Sequence, residues 1–242
     1  MVTLSLSLLF AWLAGTPAAL FVRPPRPAIT PPPRLLNIVR QKLRRGTPRE
    51  YESLEASIVK GYERAHAQVF WIGLQSKSDA TDVLYLNLAD SREQWDQMAA
   101  RYQEVVAAHP ELPRLQSRLA ALGAGAPTST LTTRRDEIGY SRTDVDLLTM
   151  RALRLVVFHV KAGREGAFVR AARTAEGRMM PWSVYESNED STFFLVAPMR
   201  SVSEARKTPA IPLRLQQLKR VCSRTETGVY LVRPTMSHPP KN

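Results

Sequence analysis

The chain of 242 residues contains a single cysteine, Cys222. One thiol cannot form a disulfide within the chain or build a cysteine-based metal cluster. Cys222 lies beside the last predicted strand, in Val221-Cys222-Ser223. A nucleophilic role would require an activating base close to the thiol, and the sequence does not reveal one. We therefore predict a buried, unreactive cysteine.

Histidine is also scarce, with four residues in the chain. His66, His109 and His238 are isolated, and none has the His-x-x-x-His or carboxylate spacing that is typical of a metal site. No catalytic motif appears elsewhere in the sequence. The sequence therefore predicts no metal site and no cofactor, and it does not decide whether the protein is an enzyme.

Acidic residues are too few to balance the basic ones, which gives a net charge of +12 and a pI near 10.3. Such a charge permits long-range attraction to nucleic acid, anionic lipid or acidic ligands, but it does not specify a fold. The basic residues are mostly arginines scattered along the chain, which favours a solvated Arg-rich surface. An apolar fraction of 44% excludes wholesale disorder.

The N-terminal apolar run, Leu4 to Val22, has no Lys or Arg before it. Small residues near its end nevertheless resemble a signal-peptide cleavage site after Ala18 or Ala19. Gly15 and Pro17 interrupt the run, which disfavours a stable membrane helix. We expect a secreted or periplasmic protein, with a membrane-anchored or a cytoplasmic protein as the alternatives.

Beyond the leader, the chain contains an internal repeat. Leu36 to Ala89 and Leu153 to Met199 share a series of anchors at nearly constant spacing. The paired anchors are Gly46 and Gly163, Tyr51 and Phe168, Trp71 and Trp182, Ser76 and Ser187, and Asp79 and Asp190. The first two pairs are separated by 117 positions and the other three by 111. Several consistent spacings predict two copies of one architecture.

Each copy has the predicted order βαββαβ, with strands of alternating apolar residues and helices with an apolar stripe. In the first copy Thr47, Pro48 and Glu50 predict a capping box at the start of a helix. The predicted strands of this copy are Leu35–Leu43, Val69–Gln75, Val83–Leu88 and Ser129–Thr133, and those of the second copy are Leu153–Val160, Trp182–Glu186, Thr192–Val196 and Gly228–Val232.

The strand Leu153 to Val160 is apolar on both of its faces. A strand with two apolar faces is buried on both sides. A βαββαβ sheet carries both helices on one face, so its other apolar face must be covered by another element. We therefore predict an α+β fold in which two tandem ferredoxin-like repeats face each other as a pseudo-dimeric α/β barrel.

The predicted organisation has five parts. They are a signal peptide or anchor-like leader at 1–22, a Pro-rich linker at 23–34, a first repeat at 35–149, a second repeat at 150–234 and a polar tail at 235–242. Proline fixes φ and cannot continue a helix, so the linker is expected to be extended and semi-rigid.

This arrangement resembles the dimeric α/β-barrel superfamily, which includes antibiotic-biosynthesis-type monooxygenases and the NIPSNAP proteins. The resemblance covers Leu35 to Pro234 and rests on the first strand, the Gly46 or Gly163 turn, the following helix and the Trp71 or Trp182 strand. It implies a cleft for a small apolar ligand, a cofactor-independent oxygenase-like or haem-related activity as open options, and homo-oligomers. This sequence carries no catalytic set that is diagnostic of the family.

Five residues are candidates for lining such a cleft. His159 and Lys42 occupy equivalent strand positions, where His159 is a candidate general base or axial haem ligand, or else a half-exposed residue at a strand end. Arg40 and Lys42 are suited to hold a carboxylate or phenolate, or else are solvated. Trp71 and Trp182 are suited to stack on a planar ligand, or else pack the core.

Three functions remain open. We favour an exported barrel that binds a small, largely apolar or anionic ligand, with a non-catalytic structural or interaction protein of the same fold as the alternative. An RNA-binding module is a lesser alternative, because RNA-recognition motifs share the βαββαβ order. Their third-strand signature is absent here: Phe193 and Phe194 are adjacent and point to opposite faces. Binding to nucleic acid is therefore not expected.

Overall fold

The computed structural model describes residues 32–139, 145–174, 182–207 and 213–240. The strands are β1 Leu35–Lys42, β2 Ile72–Ser76, β3 Asp82–Ala89, β4 Thr128–Arg134, β5 Ala152–Val160, β6 Ser183–Ser187, β7 Thr192–Met199 and β8 Cys222–Val232. The α-helices are α1 Pro48–Arg64, α2 Arg92–Ala108, α3 Glu111–Ala120, α4 Glu165–Thr174 and α5 Val202–Lys207. One 3-10 segment, Leu213–Val221, lies between α5 and β8, and another, Pro234–Met236, follows β8.

The eight strands form one closed antiparallel barrel in the order β1-β3-β2-β8-β5-β7-β6-β4. Within it, each repeat contributes a half of ferredoxin-like order, β4-β1-β3-β2 and β8-β5-β7-β6. The halves join where Gln75 of β2 pairs with Leu231 of β8, and where Thr133 of β4 pairs with Glu186 of β6. The predicted face-to-face arrangement of the two repeats is therefore confirmed.

The interior of the barrel is an apolar core to which both halves contribute. The buried strand residues of this core include Leu36, Ile38, Leu74, Leu84, Leu86, Leu153, Leu155, Val157, Phe194 and Val196. Burial of each such side chain stabilises the fold by about 1.5–3 kcal/mol relative to exposure. This interior leaves neither sheet half with the bare face that RNA recognition on an open sheet requires.

Two further cores lie outside the barrel, one for each repeat. In the first repeat, α1, α2 and α3 cover the outer face of β1 and β3. In the second, α4 and the 3-10 segment Leu213–Val221 cover the outer face of β5 and β7. There the Phe168 ring stacks on Phe193 with 4.4 Å between centroids and meets the Phe158 ring at a tilt, with 5.3 Å between centroids. Buried Cys222 belongs to this second core.

The turn before α1 differs from the prediction. Thr47 adopts a helical conformation, and its hydroxyl donates to the Arg44 carbonyl at 2.7 Å instead of accepting from the helix. The predicted capping box with Glu50 is therefore wrong, because the side chain of Thr47 is engaged by the preceding turn. The equivalent turns at Gly46 and Gly163 both have positive φ, 86° and 74°, a conformation for which glycine is suited.

Both ends of the described chain pack against the barrel. The Pro33 carbonyl accepts a hydrogen bond from Tyr185 at 3.0 Å. At the other end, Met236, Ser237 and His238 are buried against the first repeat, although the sequence suggested a polar tail at 235–242. Gly73 permits this contact, because an added Cβ would lie 2.4 Å from the Met236 carbonyl oxygen. Its backbone N–H donates to Ser237 Oγ at 3.0 Å.

Within the described ranges, no helix is both long enough and apolar enough to cross a membrane. The predicted leader, residues 1–22, lies outside the described residues.

We predict that Gly73→Ala destabilises the protein by about 1–3 kcal/mol, since an added Cβ would lie 2.4 Å from the Met236 carbonyl oxygen. Gly125→Ala is the matched control, because an added Cβ there meets nothing within 4 Å. Urea unfolding of both variants measures the difference. Equal free energies of unfolding for the two variants would show that the C-terminal segment moves to accommodate the added Cβ without loss of stability.

Candidate functional site

A pocket opens between the outer face of the first repeat and its helices. It is lined by Val39, Gln41, Tyr51, Glu55, Ile58, Tyr62, Trp71, Tyr85, Asn87, Tyr102, Gln116, Leu119, Ala120 and Pro127. The centre of a water-sized molecule can occupy about 50 Å³ of this pocket. Ala120 and Pro127 are the lining residues that remain partly exposed, so they mark its mouth.

Glu55 is the acidic residue of this pocket, and only 4% of its surface is exposed. It lies on α1, one turn after Tyr51, so both side chains face the sheet. The Tyr85 hydroxyl, from β3, donates to Glu55 Oε1 at 2.7 Å and lies 2.9 Å from the Tyr51 hydroxyl. Two phenols and one carboxyl group therefore form a continuous buried hydrogen-bonded chain.

Burial raises the pKa of Glu55 from 4.5 to about 7, against the opposing effect of hydrogen bonds from Tyr85 and Tyr51. Burial likewise raises the pKa values of Tyr51 and Tyr85, and the nearby Glu55 charge adds to the effect. The tyrosines are therefore neutral near pH 7, whereas Glu55 is partly protonated at that pH. Such a group is suited to general acid–base chemistry.

A second set of aromatic side chains completes the wall. The Gln116 amide, from α3, donates to the Tyr102 hydroxyl at 2.6 Å. The Tyr62 ring stacks on Tyr102 with 5.5 Å between centroids and meets Trp71 edge-on at 5.2 Å. Trp71 is held in turn by its indole N–H, which donates to the Met236 carbonyl at 2.9 Å, and by stacking on His238 at 5.1 Å.

The second repeat lacks this polar pocket lining. Phe168 stands where the first repeat has Tyr51, and Ala172 stands where it has Glu55, both at the repeat spacing of 117. Leu195 and Ala197 likewise replace Tyr85 and Asn87 of the third strand, at a spacing of 110. All four of these second-repeat residues are buried in the outer apolar core. At these equivalent positions the second repeat therefore has apolar side chains in its outer core, and the first has polar side chains that line a pocket.

A separate polar cluster lies at one end of the barrel interior. Arg40 forms a two-bond ion pair with Asp82, at 2.9 and 2.8 Å, and reaches Glu226 at 2.8 Å. His159 Nε2 lies 2.9 Å from the other oxygen of Glu226, and the Tyr230 hydroxyl donates to Asp82 at 3.0 Å. The hydrogen bond to Asp82 is the main cause that raises the pKa of Arg40. This cluster joins β1 and β3 of one repeat to β5 and β8 of the other.

The structure separates the five residues proposed from the sequence. Arg40 and His159 meet through Glu226, while Lys42 pairs with Asp79 at the exposed β2–β3 turn. Trp71 lines the pocket of the first repeat. Trp182 is packed in the apolar core of the second repeat, away from that pocket.

The central pocket residue, Glu55, was missed by the sequence analysis. Its one signal is a carboxyl group four positions after Tyr51, on the face of α1 that carries the apolar stripe. Tyr85 and Gln116 come from elements distant in sequence, and their roles depend on the register of β3 and the placement of α3.

This pocket does not fit a haem group. Its volume is about 50 Å³, and no histidine lines it, whereas even drug-sized ligand sites occupy about 300–1,000 Å³. His159 has both ring nitrogens engaged, Nε2 by Glu226 at 2.9 Å and Nδ1 by Thr192 at 3.3 Å. Within the described residues, no group of three or more His, Cys, Asp and Glu side chains could hold a metal ion.

No family model and no curated protein matches the chain. Solved structures do match: a candidate monooxygenase from Fusobacterium nucleatum subsp. nucleatum has a TM-score of 0.56 at 9% identity, covering 83% of this chain and 93% of that one. An anthrone oxidase-like protein has a TM-score of 0.56 at 13% identity, covering 85% and 94%. A mutant chlorite dismutase from Candidatus Nitrospira defluvii has 0.50 at 12%, covering 84% and 93%.

Sequence identities this low establish the fold alone. Together with the closed eight-stranded barrel, these structural matches show that this chain has the dimeric α/β-barrel fold, with both halves in one polypeptide. The resemblance stated from the sequence is confirmed at that level.

We predict that the wild-type protein loses stability relative to Glu55→Gln as the pH rises from 4.5 to 7. The folded state holds the Glu55 proton more tightly than the unfolded state, so unfolding becomes easier as the unfolded carboxyl ionises first. The difference should reach about 3 kcal/mol above pH 7, from a shift of roughly 2.5 pKa units. Urea unfolding at pH 4.5 and 7.5 measures it. If the difference did not change with pH, it would contradict the burial of Glu55 without a positively charged partner.

Proposed function

We propose that the protein binds one small, largely apolar organic ligand per chain in the pocket of the first repeat, here called the Glu55 pocket. The observation that carries the proposal is the difference between the repeats. At the positions where the second repeat has Phe168 and Ala172 in its outer apolar core, the first places Tyr51 and Glu55 in the lining of a pocket. The apolar arrangement would be sufficient for a purely structural role, because burying a carboxyl group costs stability.

The shape of the pocket supports a ligand with a small polar end and an apolar body. The pocket volume of about 50 Å³ admits a group of a few atoms, since one ordered water needs roughly 10–15 Å³. The ligand would therefore direct its polar end to Glu55 and leave its apolar body near Ala120 and Pro127.

A chemical step on such a ligand is a second candidate function. Its specific support is a carboxyl group with a pKa of about 7 in hydrogen-bonded contact with Tyr85, and fold neighbours that include a candidate monooxygenase and an anthrone oxidase-like protein. Glu55 would act as the base that removes a proton from the bound ligand. The proposal also retains export, for which the apolar run from Leu4 to Val22 is the support.

Ligand binding is tested by titrating the protein with phenol, 1-butanol and n-butylammonium while following the Trp71 indole signal by NMR. We expect at least one probe to shift this signal. Ala120→Phe should weaken that binding about tenfold or more by filling the mouth of the pocket, whereas the exposed neighbour substitution Ala121→Phe should leave it unchanged.

The Trp71 signal is assigned by its loss in Trp71→Phe. The Glu55 pocket would be refuted as the ligand site if none of the probes bound. It would also be refuted if probes bound but Ala120→Phe weakened the binding of none of them.

A further inference from the structure

The Glu55 pocket has an unusual residue composition for this chain. Four of the seven tyrosines line it, Tyr51, Tyr62, Tyr85 and Tyr102, together with Trp71. Its fourteen lining residues include no Lys, Arg or His, although 34 of the 242 residues are Lys or Arg. Glu55 is the only carboxyl group among these fourteen residues. Among the described residues of this strongly basic protein, no cationic side chain lines this aromatic pocket, which contains a carboxyl group.

The carboxyl group of Glu55 has neutral protein partners. It accepts a hydrogen bond from Tyr85, whose hydroxyl also contacts Tyr51. Phenols stabilise a carboxylate by donating hydrogen bonds, but they do not neutralise its charge. Among the described residues, no ion pair involves Glu55, in contrast to Asp82 and Glu226, which both pair with Arg40.

We propose that the Glu55 pocket binds a protonated amine or small alkylammonium ion, with its nitrogen beside the Glu55 carboxylate and its alkyl body directed to the mouth. The inference rests on the proposed function and specifies its ligand class. Aromatic side chains attract cations through the negative charge of their ring faces, and cages of Tyr and Trp are a common means of holding ammonium groups. The ligand supplies the positive charge that no lining residue provides.

The energetics favour a cation over a neutral ligand in this position. The carboxyl group is already removed from water in the free protein, so binding requires desolvation of the cation and, near pH 7, loss of the Glu55 proton. In a pocket shielded from water, the attraction between opposite charges exceeds that at a surface. The pocket volume of about 50 Å³ limits the bound cation to a primary or lightly substituted ammonium group.

Binding of a cation should be coupled to release of a proton. The titratable groups that face Glu55 are Tyr51 and Tyr62 of α1, Tyr85 of β3 and Tyr102 of α2, and burial raises the pKa of each of them above that of an ordinary tyrosine. His238 lies behind Trp71, against the Trp71 and Tyr62 rings. Glu55 is therefore the group that should lose a proton when the cation binds near pH 7.

The test compares n-butylammonium chloride with 1-butanol, which has the same chain length and no charge, by isothermal titration calorimetry at pH 8. The wild-type protein should bind the ammonium at least about tenfold more tightly than the alcohol. Glu55→Gln should remove that preference. Glu63→Gln, an exposed acidic position on the same helix, is the matched control and should keep it.

A measurement on the unmodified protein covers the case in which Glu55→Gln does not fold. At pH 7, titration in two buffers of different ionisation enthalpy should show that a fraction of a proton is released for each ammonium bound, and affinity should rise from pH 6 to pH 8. Equal affinity for the two probes, with no proton release, would overturn the cation inference. If Ala120→Phe still weakened 1-butanol in that case, the proposed function would stand without it.

Discussion

A sheet that is apolar on both faces must be covered on both, and this constraint determines the architecture of the protein. The helices cover the outer face of each half, but they cannot cover the inner one. The two halves solve this by covering each other, with β2 joined to β8 and β4 joined to β6. Closure also leaves no free sheet edge between the repeats, which removes a common route to aggregation.

Duplication within one chain permits the two outer cores to differ. In a dimer of identical subunits every substitution appears twice, whereas here Glu55 and Tyr85 occur in one half and Ala172 and Leu195 in the other. The shift in the pKa of Glu55 corresponds to about 3 kcal/mol at neutral pH. This is a large share of the 5–15 kcal/mol by which proteins are usually stable. A cost of that size favours a function for the polar pocket.

The fold was predictable because its signals are local and repeated. The two apolar faces of Leu153–Val160 indicate a strand covered on both sides, and the glycines at Gly46 and Gly163 occupy turns with positive φ in both repeats. The pocket was less accessible to sequence reasoning. Glu55 occupies the same helix face as the apolar stripe, and nothing local indicates that Tyr85 will reach it across the sheet. His159 and Arg40 similarly meet only through Glu226, which is 186 positions from Arg40.

The central claim is that the first repeat holds a buried carboxyl group with no charged partner among the described residues, and it is tested most directly by an NMR titration of the Glu55 side-chain carboxyl carbon. The signal is assigned by its absence in Glu55→Gln. The account predicts a pKa of about 7 in the free protein. A pKa near the ordinary value of 4.5 would contradict it, because the carboxylate would then be solvated or paired with a cation that the structure does not place beside it.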